Sequence, residues 1–314
     1  MDGPFLSFST CWLRQRHNDG RRAALDAREL GFEWLELGHG TRICQLPGLF
    51  EAVKAGEIRV SSLHNFCPPP VELTMDAPDA FEFSSAKGAE RQRALDLTQR
   101  TLEMANRFAA AVVVLHLGSS GIANCTTELE SLLQSEGPFG RTFLKRKLEL
   151  VARRAKPAAA AMQRARACLD LLLPLAEKHA VKLAIETRSH HEQLPNQGEM
   201  LQLMNEYGQS PWLGCWHDFG HAQRQANLHL QDHAACLKQV AHKLLGCHLH
   251  DVRWPQRDHL LPFQEQGGVP FEQLLALLPM DRELPLVWEI SPREPREKIP
   301  EALAQWRSRF PQWS

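Results

Sequence analysis

Leu244-Leu245-Gly246-Cys247-His248-Leu249-His250, followed at once by Asp251, is a short apolar run that ends on a cluster of ionisable side chains. Buried parallel strands read this way, as a few mainly apolar residues with functional or turn residues beyond them. The pattern recurs along the whole chain. Candidate strands are Phe5–Ser9, Glu33–Leu37, Ile58–His64, Ala111–Leu117, Val181–Glu186, Trp212–His217, Leu244–His250 and Leu284–Ile290. Segments of helical periodicity separate them: Gly20–Leu30, Leu49–Ala55, Glu90–Phe108, Phe143–His179, Gly198–Tyr207, Leu228–His242, Phe271–Leu278 and Pro295–Arg307. Eight strands, each followed by a helix, with no linker or shift of composition, predict one α/β domain over residues 1–314, a (β/α)8 TIM barrel. A doubly wound sheet would call for a glycine-rich first turn, but Ser9-Thr10-Cys11-Trp12 stands there instead.

The long connections, residues 67–89, 118–140 and 251–269, all follow strands, whereas helix-to-strand links such as Gly31-Phe32 are short. In a barrel the strand-to-helix loops build the active face, so the extra length falls where function is expected.

Composition narrows the function classes. Lys and Arg number 36 against 37 Asp and Glu, a net charge of −1, which argues against a nucleic-acid partner. The longest apolar stretch, Phe108–Leu115, is far short of the ~18 residues a membrane span needs, and no signal-like segment opens the chain. A cytoplasmic protein with no membrane partner is expected. The eight cysteines include no C-x-x-C pair and read as reduced thiols. Fifteen histidines beside a single tyrosine are the unusual feature, since histidine is the commonest metal ligand.

Candidate strands two to eight end on Glu36, His64, His116, Glu186, His217-Asp218, His248-Leu249-His250-Asp251 and Glu289. At barrel strand ends such side chains converge, and carboxylates packed closely repel one another unless a cation holds them ionised. Mixed carboxylate and imidazole ligands suit Mn, Zn, Fe or Co better than Ca. A divalent metal cofactor is therefore expected.

Leu183-Ala184-Ile185-Glu186, Trp216-His217-Asp218-Phe219-Gly220-His221-Ala222, Cys247-His248-Leu249-His250-Asp251 and Glu289 together resemble the xylose-isomerase-like TIM-barrel superfamily. That group includes sugar and sugar-phosphate isomerases and epimerases, inosose dehydratases and endonuclease IV. The resemblance runs from Ser7–Thr10 through Glu289, and its most specific parts are Asp-x-x-His at Asp218 and His-x-His-Asp at His248. It implies a divalent ion (Mn, Zn, Fe, Co or Mg) held by Glu186, Asp218, His248 and Glu289. It also implies that Glu186 and Glu289 move a proton next to a carbonyl through an enediolate. The expected function is that of a metal-dependent isomerase or epimerase acting on a sugar, sugar phosphate or polyol.

Endonuclease IV is similar also at His64, His116 and His221, but its Asp-x-His pair is met here by Gln256-Arg257-Asp258-His259, with either Arg257 in the aspartate's place or Asp258 shifted from it by one. This departure argues against a three-zinc phosphodiesterase acting on abasic DNA. Xylose isomerases place a lysine near strand five, whereas Thr187-Arg188-Ser189-His190-His191 follows Glu186. Proton transfer is accordingly favoured over hydride shift. The same residues also suit an inosose dehydratase-like lyase, which shares the enolate chemistry, and a non-catalytic metal-binding barrel.

His64, His116, His221, His250 and His259 are candidates for a second metal or for substrate hydroxyls, and Arg188 and Arg253 for a substrate phosphate, carboxylate or hydroxyl. Glu36, His217 and His250 are expected to orient ligands or to be structural. His17, His39, His179, His229, His233 and His242 are read as ordinary surface or helix residues. Trp12, Trp216, Trp254 and Trp288 are either a sugar-stacking platform or packed core. The basic stretch Arg141–Arg166 reads as the solvated face of an outer helix interrupted at Pro157. A homo-oligomer is consistent with the sequence, which does not decide the point.

Overall fold

The computed structural model describes residues 3–73, 77–263 and 268–313. Eight parallel strands close into a barrel: β1 (Pro4–Ser9), β2 (Trp34–Leu37), β3 (Arg59–His64), β4 (Val112–Leu115), β5 (Lys182–Glu186), β6 (Leu213–Asp218), β7 (Leu244–Leu249) and β8 (Leu284–Trp288). Each pairs with its neighbours in sequence, and β8 returns to β1 with Pro4 opposite Leu284 and Phe8 opposite Trp288. The outer helices are α1 (Gly20–Glu29), α2 (Leu46–Lys54), α3 (Gly88–Arg107), α4 (Arg141–His179), α5 (Gln197–Glu206), α6 (His233–Val240), α7 (Phe271–Leu275) and α8 (Lys298–Arg309). All eight expected strands and all eight expected helices are found, with ends shifted by a few residues.

The apolar stripe of each helix faces the barrel wall. In α3 it comprises Ala94, Leu97, Thr98, Thr101, Leu102 and Ala105, the three- and four-residue spacing of one helical face. These stripes and the outward side chains of the strands form the main core, which includes Phe8, Phe32, Leu35, Leu63, Leu183 and Trp306. A second, small cluster of Val112, Val114, Ala184, Trp216 and Val287 is separate from it. It is built from alternate strand residues, as barrel interiors are. Trp216 fits because β7 carries glycine at the facing position: a Cβ on Gly246 would meet the indole ring at 2.1 Å.

Two expectations about the connections need correction. Residues 118–140 are not a plain loop. They contain the helix Thr126–Glu136, and Gly118–Ser119 pairs with Gln193–Leu194. Residues 251–269 likewise contain a ribbon, Asp251–Arg253 against Arg257–Leu260. The expected break at Pro157 is also absent, since α4 runs unbroken through Pro157 and Pro174. An interior proline costs about 3 kcal/mol, but α4 packs along α3 and buries a stripe from Leu150 through Ala176.

Nor is the basic stretch wholly solvated. Arg154 is buried, forks onto Glu199 on α5 and donates to the carbonyls of His191 and Gln193. It thereby ties the loop after β5 to two helices. Among the described residues no helix is long and apolar enough to cross a membrane.

Replacing Gly246 by Ala forces the Trp216 ring out of the barrel interior. We expect a loss of about 1–3 kcal/mol in urea unfolding, the range for overpacking. A change below about 0.5 kcal/mol, the scale of a neutral surface substitution, would show that the interior is not close-packed there.

Candidate functional site

The C-terminal strand ends bring the predicted residues together because adjacent parallel strands are in register. Asp218 pairs with His248 across β6 and β7, and Glu186 on β5 pairs with Trp216 on β6. Glu289 lies one residue beyond β8, where its amide donates to the Leu249 carbonyl. Ligand atoms of Glu186, Asp218, His248 and Glu289 all lie within 4.8 Å of one another, and all four residues are buried.

His248 organises the group. Its Nε2 is 3.1 Å from both carboxylate oxygens of Glu36, and Ser62 Oγ donates to Glu36 Oε2. Its Nδ1 faces Glu186 Oε1 at 3.1 Å, Glu289 Oε2 at 3.4 Å and Asp218 Oδ2 at 3.7 Å. A neutral imidazole has one proton, and Glu36 accepts it at Nε2. The Nδ1 lone pair then converges with three carboxylates, an arrangement that needs either a second proton or a cation. The donor set therefore fits a divalent ion, with Glu36 as the outer partner that orients the ligating ring.

The titration behaviour in the absence of an ion follows the same balance. Burial works against charge on His248, but Glu289, Glu36 and Glu186 outweigh it and hold the imidazole well above its usual range. Burial also opposes ionisation of Glu186, yet His116 and His248 hold its carboxyl well below normal. Glu289 falls to about 2, with burial again overcome by His248 and His259.

A second group, His64, His116 and Glu186, adjoins the first. His64 Nδ1 donates to the Asn65 carbonyl, so its Nε2, 3.1 Å from Glu186 Oε2, repeats the lone-pair problem of His248. Burial depresses the His64 pKa, which disfavours solving it with a proton. His116 Nε2 lies 2.6 Å from the same oxygen, while its Nδ1 donates to Asp79 at 2.8 Å. Arg188 in turn donates to Asp79. The predicted Arg188 thus lies in the site, 3.8 Å from Glu186, through a partner in the 67–89 connection that no sequence motif flags.

His221, His250 and His259 form a third group. His250 Nδ1 accepts from the His259 amide, so its Nε2 donates to Asp218. The rings of His250 and His259 stack at 4.0 Å. Asp258, shifted by one from the position of the nuclease aspartate, is held by Arg224 at 2.5 Å, and Arg257 pairs with Glu294. The third group is thus imidazole alone.

Several expectations change. Arg253 is exposed on the ribbon Asp251–Arg253. Trp12, Trp216 and Trp288 are fully buried, so they pack rather than offer a stacking face, and Trp254 packs against a satellite cluster around Leu129 and Phe143. Trp216 lies edge-on to His248, with centroids 5.1 Å apart, and floors the site. His233 is buried against His217, Nε2 to Nε2 at 2.9 Å.

His39 is no ordinary surface residue either. Its Nε2 is 3.7 Å from Glu289 Oε1, and with Cys11, Arg14, Asp258, His259 and Glu289 it lines a cavity of about 210 Å3 that opens onto the site. Cys11 and His39 stand just beyond β1 and β2. The strand-end rule that flagged Glu36 would have found them had it been extended two residues.

No curated protein matches this sequence. Among solved structures, a D-tagatose 3-epimerase-like protein is 15% identical and superposes with a TM-score of 0.68 over 99% of both chains. A 3-keto-D-glucoside 4-epimerase from E. coli is 13% identical, with a TM-score of 0.64 over 98% of this chain and 100% of that one. A D-psicose 3-epimerase from Clostridium cellulolyticum H10, solved with D-tagatose, is 11% identical, with a TM-score of 0.64 over the whole of both chains. At these identities the likeness is one of fold. The family model for the xylose isomerase-like TIM barrel matches residues 24–309, nearly the whole molecule, and the chain belongs to that family.

Proposed function

We propose that this protein is a divalent-metal-dependent isomerase or epimerase of a ketose or related polyol, moving a proton at the carbon beside a carbonyl. The observation that carries the reading is the convergence of two carboxylates, Glu186 at 3.1 Å and Glu289 at 3.4 Å, on one imidazole nitrogen of His248, with Glu289 at the wall of a cavity. A cation held by Glu186, Asp218, His248 and Glu289 would stabilise negative charge on substrate oxygens.

The chain's own residues do the rest. One glutamate removes the proton from carbon and the other returns it, on the opposite face for epimerisation or at the adjacent carbon for isomerisation. Both carboxylates are ionised at neutral pH, as a base must be. A group held at about 2 is nevertheless a weak base. Arg14, His39, Asp258 and Ser291 line the cavity and suit the hydroxyls of a carbohydrate.

One observation favours a second reading: the three adjacent ligand groups. An endonuclease IV-like phosphodiesterase would fill all of them, so a metal count near three per chain with incision of abasic DNA would select it. A lyase of the inosose dehydratase type would begin with the same proton removal.

The metal-loaded protein, incubated in deuterated water with D-tagatose, D-psicose, D-fructose and L-ribulose, is expected to place deuterium at a carbon beside the carbonyl of at least one sugar. Glu186→Gln and Glu289→Gln should each slow this by about 10²–10⁴-fold, the scale of general acid–base catalysis. Exchange at full rate in both variants, or in no sugar with the loaded protein, overturns the reading.

The pKa shifts carry a further prediction. Burial lowers His116, His221, His248 and His250, but their carboxylate partners outweigh it and all four are raised. Stabilisation from a raised histidine is fully present below the unfolded pKa of about 6.5 and is lost as pH rises through the folded value. His64, His217, His233 and His259 are lowered by burial and act with the opposite sign up to about pH 6.5, so the metal-free protein should lose thermal stability only as pH rises beyond it, above about 7.5. Loading with Zn2+ or Mn2+ should remove that loss, because the ion replaces the imidazolium charge. A metal-free melting temperature that rises over this interval would contradict the assignment.

A further inference from the structure

We propose that Cys11, His39 and Glu289 form a separate transition-metal site at the mouth of the barrel, a thiolate–imidazole–carboxylate triad that shares Glu289 with the four-residue group. The proposal takes from that group only the position of Glu289, and it stands whether or not the substrate is a sugar.

The distances carry it. Cys11 Sγ is 3.7 Å from His39 Nε2 and 3.6 Å from Glu289 Oε1, and His39 Nε2 is 3.7 Å from the same oxygen. A nitrogen and an oxygen 3.7 Å apart are beyond hydrogen-bond range, and an S–H donor at 3.6 Å is weak. A tetrahedral zinc ion, with bonds of about 2.3 Å to sulfur and about 2.0 Å to nitrogen and oxygen, separates its ligand atoms by about 3.3–3.6 Å. The three atoms therefore outline a slightly open face of a coordination tetrahedron. The adjoining cavity of about 210 Å3 leaves room for a water or substrate oxygen at the fourth position.

The local fold builds this face. Cys11 lies on the short helix Thr10–Leu13 that follows β1, its amide donating to Ser9 Oγ. His39 sits between two glycines in the connection after β2. A Cβ on Gly38 would fall 2.5 Å from Cys11 Sγ, and one on Gly40 would fall 2.2 Å from the Arg14 guanidinium. Both glycines let the thiol and Arg14 pack against the loop that carries the imidazole.

Glu289 supplies different oxygens to the two groups. Oε1 faces Cys11 and His39, whereas Oε2 faces His248. A carboxylate so placed can bridge two cations. The sulfur donor selects zinc, iron or cobalt over magnesium or manganese, and binding displaces the thiol proton.

The test is a Co2+ titration of the metal-free full-length protein, read by near-ultraviolet thiolate-to-cobalt charge-transfer absorption and by elemental analysis of zinc-loaded protein. Wild type should show a saturable band for about one ion per chain. Cys11→Ala should lose the band and about one bound zinc, with unchanged circular dichroism. His39→Ala, at a half-buried position that the fold tolerates more readily, should lose the saturable band as well. His248→Ala should keep the band while losing metal, which separates failure of the four-residue group from failure of this one. Absence of the band in wild type, or its persistence at full strength in Cys11→Ala, overturns the proposal.

Discussion

One imidazole with carboxylates on both sides sets the terms for the rest of the site. His248 has one proton when neutral, and the Glu36 carboxylate accepts it at Nε2. What remains at Nδ1 is a lone pair facing Glu186, Asp218 and Glu289. An isolated buried carboxylate is strongly disfavoured, and three around one lone pair are more so. Only a positive charge among them resolves the conflict. A proton does so in the absence of an ion, which is why His248 is raised and the carboxylates are lowered.

Such a concentration of charge needs a stiff frame, because flexible ligands would separate rather than converge. The barrel provides it through register. Asp218 and His248 are cross-strand partners, and neither can move without disturbing the ladder between β6 and β7. Below them the indole of Trp216 occupies the space left by Gly246, so the floor is packed. At the side, Arg154 ties the carbonyls of His191 and Gln193 to Glu199, which holds the loop after β5 from outside the site. Among the described residues the site opens toward the cavity lined by His39 and Glu289.

The fold was legible because its signal is repeated. Eight apolar runs alternating with eight amphipathic segments leave few other architectures, and ionisable residues at the strand ends marked the functional face. The four-residue group was legible for the same reason, since each member lies within one residue of a strand end. What escaped was set by contacts between distant segments. Asp79 orients His116 from a long connection, 37 positions away, and no local pattern distinguishes it from other loop aspartates. Pro157 reads as a helix break on propensity, but burial on both sides of it carries α4 through. Arg154 looked like one more charge on a basic face, yet it alone among the basic residues of that run is buried. In each case tertiary packing outweighed a local preference of a few kcal/mol.

Glu289 is where these lines meet. Glu186 is enclosed by His64, His116, His221, His248 and Arg188, so its oxygens are committed to neighbours within the barrel. Glu289 has the same partner in His248 but stands at the cavity wall, with its second oxygen turned toward Cys11 and His39. The two carboxylates are therefore chemically alike and unequal in access. If both move protons, Glu289 meets a substrate arriving through the cavity first, and Glu186 acts from beneath it. Any group that engages Glu289 Oε1 from the Cys11 and His39 side then acts directly on one of the two proton-moving carboxylates. An ion there would withdraw electron density from Glu289 and weaken it as a base, while leaving Glu186 untouched. On the proposed reading, the mouth of the barrel would therefore act on Glu289 alone of the two carboxylates.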